Sequence, residues 1–98
     1  MAVLNERSQL DMLQDQIIRC DDEMLLFLKR RLQTSKKLAD VAKKNGLEFK
    51  EISNLMSQVH FKSSSKCREL GFDMSMITEL LGIIEDTTAK VQKQAFEK

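Results

Sequence analysis

The stretch from Ser8 to Asn45 contains no Gly and no Pro, and this restricts how the chain can fold more than any other feature. Its apolar side chains recur every three or four positions, which predicts one unbroken amphipathic helix. This apolar stripe consists of Leu10, Leu13, Ile17, Cys20, Met24 and Phe27, and it continues in the same register at Leu38 and Val41. Arg31 and Thr34 interrupt it. Because an unpaired charge on a buried face is costly, the interruption indicates either a polar site or a buried face in another register.

The predicted length of this helix bears on oligomeric state. Ser8 can cap it, with Asp11 three residues later, and Asn45-Gly46 can end it after Lys44, with residues 1–7 as a frayed leader. At 1.5 Å per residue the helix is about 55 Å long, whereas a domain of this size has a radius of gyration of about 13 Å. One copy of the chain cannot cover such a helix, so the sequence predicts a homodimer.

Composition limits the fold class and the partners. The 98 residues suit a single domain, 1–98, and the absence of Pro, Trp and Tyr together with only three Gly predicts an all-α protein. A net charge of +1 gives no general attraction to nucleic acid or to an anionic membrane surface. There is also no apolar run of about twenty residues, so we expect a cytoplasmic protein without membrane contact.

The cysteines give no sign of a metal or a cofactor. Cys20 and Cys67 lie at positions that fit buried helix faces, and their spacing to the single histidine does not suit a metal site. We therefore predict reduced thiols, no metal and no cofactor.

Two shorter helices are predicted after the first. One runs from about Phe49 to Leu70 and ends at Gly71, and the other begins after an N-cap at Asp73 and continues to the C-terminus. The face of the first of these helices contains Ile52, Leu55 or Met56, Val59, Ser63, Lys66 or Cys67, and Leu70. The apolar face of the second contains Ile77, Leu80, Leu81, Ile84, Val91 and Ala95. The last face has a polar gap at Thr88 and Gln92.

Each polar residue in these faces also has a purely structural interpretation. A hydroxyl of Thr34, Ser35 or Thr88 can donate to a carbonyl of its own helix. Arg31 has five donors and cannot lose its charge, so its structural alternative is a side chain that extends to solvent. The lysines at the helix end, Lys43, Lys44 and Lys50, can form a solvated basic patch.

Three segments together resemble the all-helical class of chorismate mutases. The run Ile17–Arg31 is similar to that family's first-helix pattern of Ile, Asp, paired aliphatics and Arg, and Leu38–Lys44 is similar to the stretch that ends in a catalytic Lys. The third segment, Gly71–Gln92, resembles the last helix with its active-site Gln. The resemblance covers most of the chain and implies an intertwined homodimer of three-helix subunits.

The resemblance also implies an activity and a set of residues. Such enzymes convert chorismate to prephenate by a pericyclic rearrangement, in which the protein holds the dianion in a reactive conformer and places cations near the breaking ether bond. The implied catalytic residues are Arg31, Lys43 and Gln92. The residues implied in binding chorismate, or a similar small dianion, are Gln14, Thr34, Ser35 and Thr88.

Some positions differ from the family pattern and leave other functions open. Gln14 stands where the family has an Arg, Ala42 stands at the catalytic Lys position with Lys43 next to it, and Leu55-Met56 replaces an Arg-Glu pair. A second hypothesis is therefore a catalytically impaired protein of the same fold that binds or regulates a partner enzyme. A third is a helical coiled-coil adaptor, suggested by the heptad-like first helix.

Overall fold

In the computed structural model the chain folds into three helices, and residues 2–98 contain no strand. The helices are α1 (Ala2–Lys44), α2 (Phe49–Glu69) and α3 (Met74–Glu97). The structure describes the backbone of residues 2–98 and the side chains of residues 5–98. The all-α class and the long, medium, medium order of the helices are thus as predicted.

The first helix begins earlier than predicted. It starts at Ala2, so Ser8 lies inside the helix and the prediction that Ser8 caps it is wrong. Residues 2–7, which the sequence suggested as a leader, belong to α1, and Met1 lies outside the described residues. With 43 residues, α1 is about 65 Å long at 1.5 Å per residue.

Both predicted glycine stops are confirmed. After α1, Gly46 has φ 77°, and the N–H groups of Gly46 and Leu47 donate to the carbonyls of Lys43 and Ala42 at 3.1 and 3.0 Å. After α2, Gly71 has φ 90°, and Gly71 and Phe72 make the equivalent bonds to Arg68 and Cys67. This is the Schellman arrangement, in which the left-handed residue turns the chain while the last helical carbonyls keep hydrogen-bond partners.

The starts of the two shorter helices are capped by acidic residues. The Asp73 carboxylate accepts a 2.8 Å hydrogen bond from the N–H of Met76, as the sequence predicted. At α2 the N–H of Glu48 donates to the Glu51 carboxylate at 2.7 Å, within a reciprocal capping box. Such bonds satisfy N–H groups that have no partner within the helix, so they fix where each helix begins.

The chain divides into two compact units, Met1–Arg31 and Leu32–Lys98. Unit 1 is a single length of helix. Its apolar stripe is exposed at every position, with Ile17 62% exposed and Phe27 60% exposed. Within a single chain Cys20 is exposed, like the rest of the stripe, and Cys67 is half-buried. Both thiols are free.

Unit 2 contains the end of α1 together with α2 and α3, and it has a small core. The core residues Ala39, Ala42, Ile52 and Ala95 are buried, and Leu38, Leu47, Phe49, Met56 and Phe96 pack against them. The rings of Phe49 and Phe96 are 5.8 Å apart at an angle of 59°. Three small side chains of α1 face the interior in this unit, namely Ser35, Ala39 and Ala42.

Within a single chain, unit 2 buries a face of α1 that differs from the predicted apolar stripe. The sequence placed Leu38 and Val41 on the buried line, but Leu38 is only half-buried and Val41 is 49% exposed. Ser35, Ala39 and Ala42 are spaced four and three residues apart and form the face that is buried instead. Small residues allow helices to approach closely, but they contribute little to hydrophobic periodicity. The periodicity of the large side chains therefore indicated the neighbouring face.

Candidate functional site

The interior of unit 2 contains a glutamine that links two helices. Gln92 on α3 is only 2% exposed, and its side-chain Nε2 donates a 3.2 Å hydrogen bond to the backbone carbonyl of Ser35 on α1. Buried amides need such partners because an unsatisfied polar group in an apolar interior is costly. The bond spans 57 positions in the sequence, so it fixes how α3 meets the end of α1.

Thr88 lies one turn before Gln92 on the same face of α3. It is 1% exposed, and its Oγ1 donates a 2.7 Å hydrogen bond to the carbonyl of Ile84. This local bond is the structural interpretation that the sequence left open for Thr88. Ser35, Thr88 and Gln92 are the only buried polar residues among the described side chains, and we refer to them as the polar cluster.

Lys43 lies outside the polar cluster. Its side chain is exposed, and Nζ sits 5.9 Å from the centroid of the Phe96 ring, where a cation and an aromatic face attract one another. The preceding residue, Ala42, is 4% exposed and belongs to the apolar core. Ala42, where the resemblance expects a catalytic lysine, is thus buried and apolar, and a catalytic role for Lys43 stays a prediction.

Thr34 is exposed on the outer side of unit 2. It lines a shallow groove of about 480 Å³ whose walls are mainly apolar. The other lining residues are Lys37, Leu38, Val41, Ala42, Asn45, Leu47 and Leu55. The large apolar side chains that the sequence assigned to the buried line of α1 therefore border an open surface in a single chain.

The two remaining predicted residues belong to unit 1. Gln14 is exposed, and Arg31, the last residue of the unit, is half-buried. The structure thus brings Ser35, Thr88 and Gln92 together within unit 2, and the roles of Arg31 and Gln14 stay predictions.

A second polar feature, which sequence reasoning missed, lies between α2 and α3. His60 pairs through Nδ1 with the Oε1 atom of Glu85, and both side chains are partly exposed. The pair borders a groove of about 620 Å³, the α2–α3 groove, lined by Ser57, His60, Phe61, Ser64, Arg68, Met74, Ile77, Thr78, Gly82 and Glu85. No sequence pattern predicted this pair, because its members come from different helices and only their packing brings them together.

Positive charge collects on the part of α1 in unit 2. Lys36, Lys37, Lys43 and Lys44 are all exposed there, and Asp40 is the only acidic side chain among them. This gives a local positive field that the overall charge of +1 conceals. In residues 5–98 no group of three or more His, Cys, Asp or Glu side chains could hold a metal ion.

None of the helices in the described part of the chain has the length and apolar character needed to cross a membrane. In comparisons with known proteins, no family model matches the chain, and neither the curated proteins nor the solved structures give a significant match.

Proposed function

We propose that the protein is a chorismate-mutase-type isomerase that acts as a homodimer. Its substrate is chorismate, which it converts to prephenate, or a closely related small dianion. The observation that carries the proposal is the polar cluster, because Thr88 and Gln92 are almost fully buried at the positions where the resemblance expects active-site residues. Three buried polar side chains are a large share of so small a core, which supports a polar function for this part of unit 2.

This reaction requires the protein to position the substrate and to stabilise the charge that develops on it. In this pericyclic rearrangement one carbon–carbon bond forms while the ether carbon–oxygen bond of the same molecule breaks, so no nucleophile, general base or cofactor is required. The protein lowers the barrier by holding the reactive conformer and by placing donors where negative charge develops on the ether oxygen. In the proposed site Gln92 donates to this oxygen, Arg31 and Lys43 supply the cations, and Gln14, Thr34, Ser35 and Thr88 contact the substrate.

Gln92 can donate to a ligand while it keeps its bond to Ser35. Its Nε2 donates one proton to the Ser35 carbonyl, and because an amide nitrogen has two protons, the second can be offered to a ligand. The basic surface formed by Lys36, Lys37, Lys43 and Lys44 supports the choice of an anionic substrate, since it raises the local concentration of dianions.

The exposed stripe of unit 1 supports the homodimer. A contiguous apolar face of this length is unusual on a monomer and indicates a contact surface. A second copy of the chain is the simplest cover, because it carries the same stripe and a twofold arrangement buries both.

The test is to incubate the purified protein with chorismate and to follow loss of the substrate. We expect turnover above the spontaneous rate, and a decrease in kcat/KM of about tenfold or more for Gln92→Leu, which keeps the side-chain volume and removes the donors. Gln94→Leu is the matched control, because Gln94 is exposed on the same helix. Arg31→Ala should also reduce turnover, whereas Arg30→Ala should not.

The proposal fails if the folded wild-type protein neither turns over chorismate nor binds a bicyclic mimic of the transition state. Circular dichroism of each variant separates loss of activity from loss of fold.

A second candidate function is a catalytically impaired protein of this fold that binds or regulates another enzyme. The burial of Ala42 in the apolar core favours it, because the family's catalytic cation has no counterpart at that position. Titration with candidate chorismate-using enzymes distinguishes the two functions. Specific binding with no turnover by the dimer alone supports the second, and full turnover without a partner refutes it.

A further inference from the structure

The α2–α3 groove shares no lining residue with the polar cluster and has no role in the proposed function. α2 and α3 are joined by a tight turn and run antiparallel. Residues near the end of α2 therefore face residues near the start of α3 across the groove, and residues in the middle of α2 face those further along α3. One end contains His60 and Glu85, and the other contains Arg68 and Met74. A volume of about 620 Å³ lies within the usual range for small-molecule sites.

The two ends of the groove differ in chemistry. At one end the Oε1 atom of Glu85 lies against Nδ1 of His60. At the other end Arg68 donates only a long 3.5 Å bond to the Ser65 hydroxyl, so most of its five donors remain for an anion. Since His60 and Arg68 are eight residues apart on one helix, their backbones are separated by roughly 12 Å.

Gly82 is a position in the groove wall that carries no side chain. It lies in the middle of α3 with ordinary helical geometry, and a Cβ added there would meet nothing within 4 Å. Neither a positive φ angle nor close packing therefore requires glycine, although glycine weakens a helix. Because Gly82 has no side chain, the groove wall beside Glu85 contains free space.

The remaining walls are suited to an apolar body. Phe61 and Met74 border the groove and are exposed, with Phe61 68% exposed and Met74 62% exposed, while Ile77 forms a buried apolar wall. Aromatic and thioether side chains adapt well to flat apolar ligands. Their exposure next to Arg68 suits a molecule that is apolar over most of its length and anionic at one end.

We propose that the α2–α3 groove is a second binding site, which takes a small carboxylate with an elongated apolar body. Arg68 holds the carboxylate, Phe61 and Met74 cover the body, and the other end of the ligand lies against His60. This inference does not depend on mutase activity, and none of the residues it uses belongs to the proposed active site.

The single histidine of the chain makes the test direct, because the imidazole resonances in a proton NMR spectrum come from His60 alone. The probe is 4-phenylbutanoate, whose ring current should shift these resonances in a saturable way. Two comparison compounds separate the contributions: 4-phenylbutylamine has the same body with the opposite charge, and acetate has the charge without the body. We expect both to bind at least tenfold more weakly.

Three variants locate the site. Arg68→Gln should weaken binding by about tenfold or more, the scale of a lost charged hydrogen bond. Lys66→Gln is the matched control, because Lys66 is a basic residue on the same helix that pairs with Glu69 and does not line the groove. Gly82→Leu should fill the groove and abolish binding while the circular dichroism spectrum of the folded protein is retained.

Several results would overturn the proposal. They are the absence of saturable shifts at millimolar probe, equal binding of the amine and the carboxylate, and unchanged binding by Gly82→Leu. If the wild type binds no probe and Gly82→Leu instead weakens self-association in sedimentation, a second copy of the chain covers the groove, and the assignment to a small ligand is wrong. Mutase activity of Arg68→Gln without ligand should equal that of wild type, which keeps this test separate from that of the proposed function.

Discussion

Replacing Ile17 by Ala should weaken the proposed homodimer by an amount that the structure allows us to estimate. Ile17 is 62% exposed in the single chain, so most of the surface of this residue is available for burial by a partner. Burying a whole isoleucine side chain is worth about 1.5–3 kcal/mol, which gives about 1–2 kcal/mol for each chain. A symmetric dimer contains the change twice, and the total becomes about 2–4 kcal/mol.

Since 1.4 kcal/mol corresponds to a factor of ten, the dissociation constant of the dimer should rise by roughly thirtyfold to a thousandfold. Sedimentation over a range of protein concentrations measures this constant for wild type and variant. Gln16→Ala is the matched control, because Gln16 is exposed on the same helix beside the stripe, and its dissociation constant should change little.

Two results would refute this reasoning. One is a wild-type protein that sediments as a monomer at all accessible concentrations, which would mean that no second copy covers the stripe. The other is an equal effect of the two variants, which would mean that a different face of α1 makes the contact.

Three further predictions concern stability and are checked by chemical denaturation. Ile52→Ala should lower the free energy of unfolding by about 2–4 kcal/mol, because Ile52 is 1% exposed in the core of unit 2. Ile83→Ala is the control at an exposed position, and it should change the free energy of unfolding by less than about 0.5 kcal/mol. Gly82→Ala should raise the free energy of unfolding by about 0.5–1 kcal/mol, and a decrease would show that the glycine has a packing role. Asp73→Ala should lower it by about 1 kcal/mol through loss of the bond to the Met76 N–H, and Asp73→Asn should restore most of that loss.

The polar cluster gives a structural reason to test activity and stability on the same variants. Gln92 joins α3 to α1, so its replacement can disturb both the proposed site and the packing of unit 2. A variant that loses turnover but keeps its free energy of unfolding assigns the residue to catalysis. A variant that loses both in proportion assigns it to packing.

The helices and most of their ends follow from local patterns in the sequence. A long run without Gly or Pro whose apolar residues recur every three or four positions predicts a helix, and Gly46 and Gly71 end helices because they adopt positive φ angles at low cost. The Asp73 cap is equally local, since its carboxylate reaches an N–H only three residues away. Such features depend on neighbouring residues, and so the pattern of residue types was enough to find them.

The start of α1 was not determined in this way. Ser8 carries a good capping side chain, but a cap is used only if the helix begins there, and α1 continues through it to Ala2. A serine inside a helix and a serine at its end look the same in a single sequence.

Which faces of the helices meet depends on how all three helices pack together. Hydrophobic periodicity favoured the large side chains Leu38 and Val41, whereas unit 2 buries Ser35, Ala39 and Ala42, because small residues let α1 approach its neighbours closely. The contact of His60 with Glu85 and the hydrogen bond from Gln92 to Ser35 likewise join residues from different helices. Periodicity locates a face on one helix, but the choice between adjacent faces depends on the shapes of all the helices that pack together.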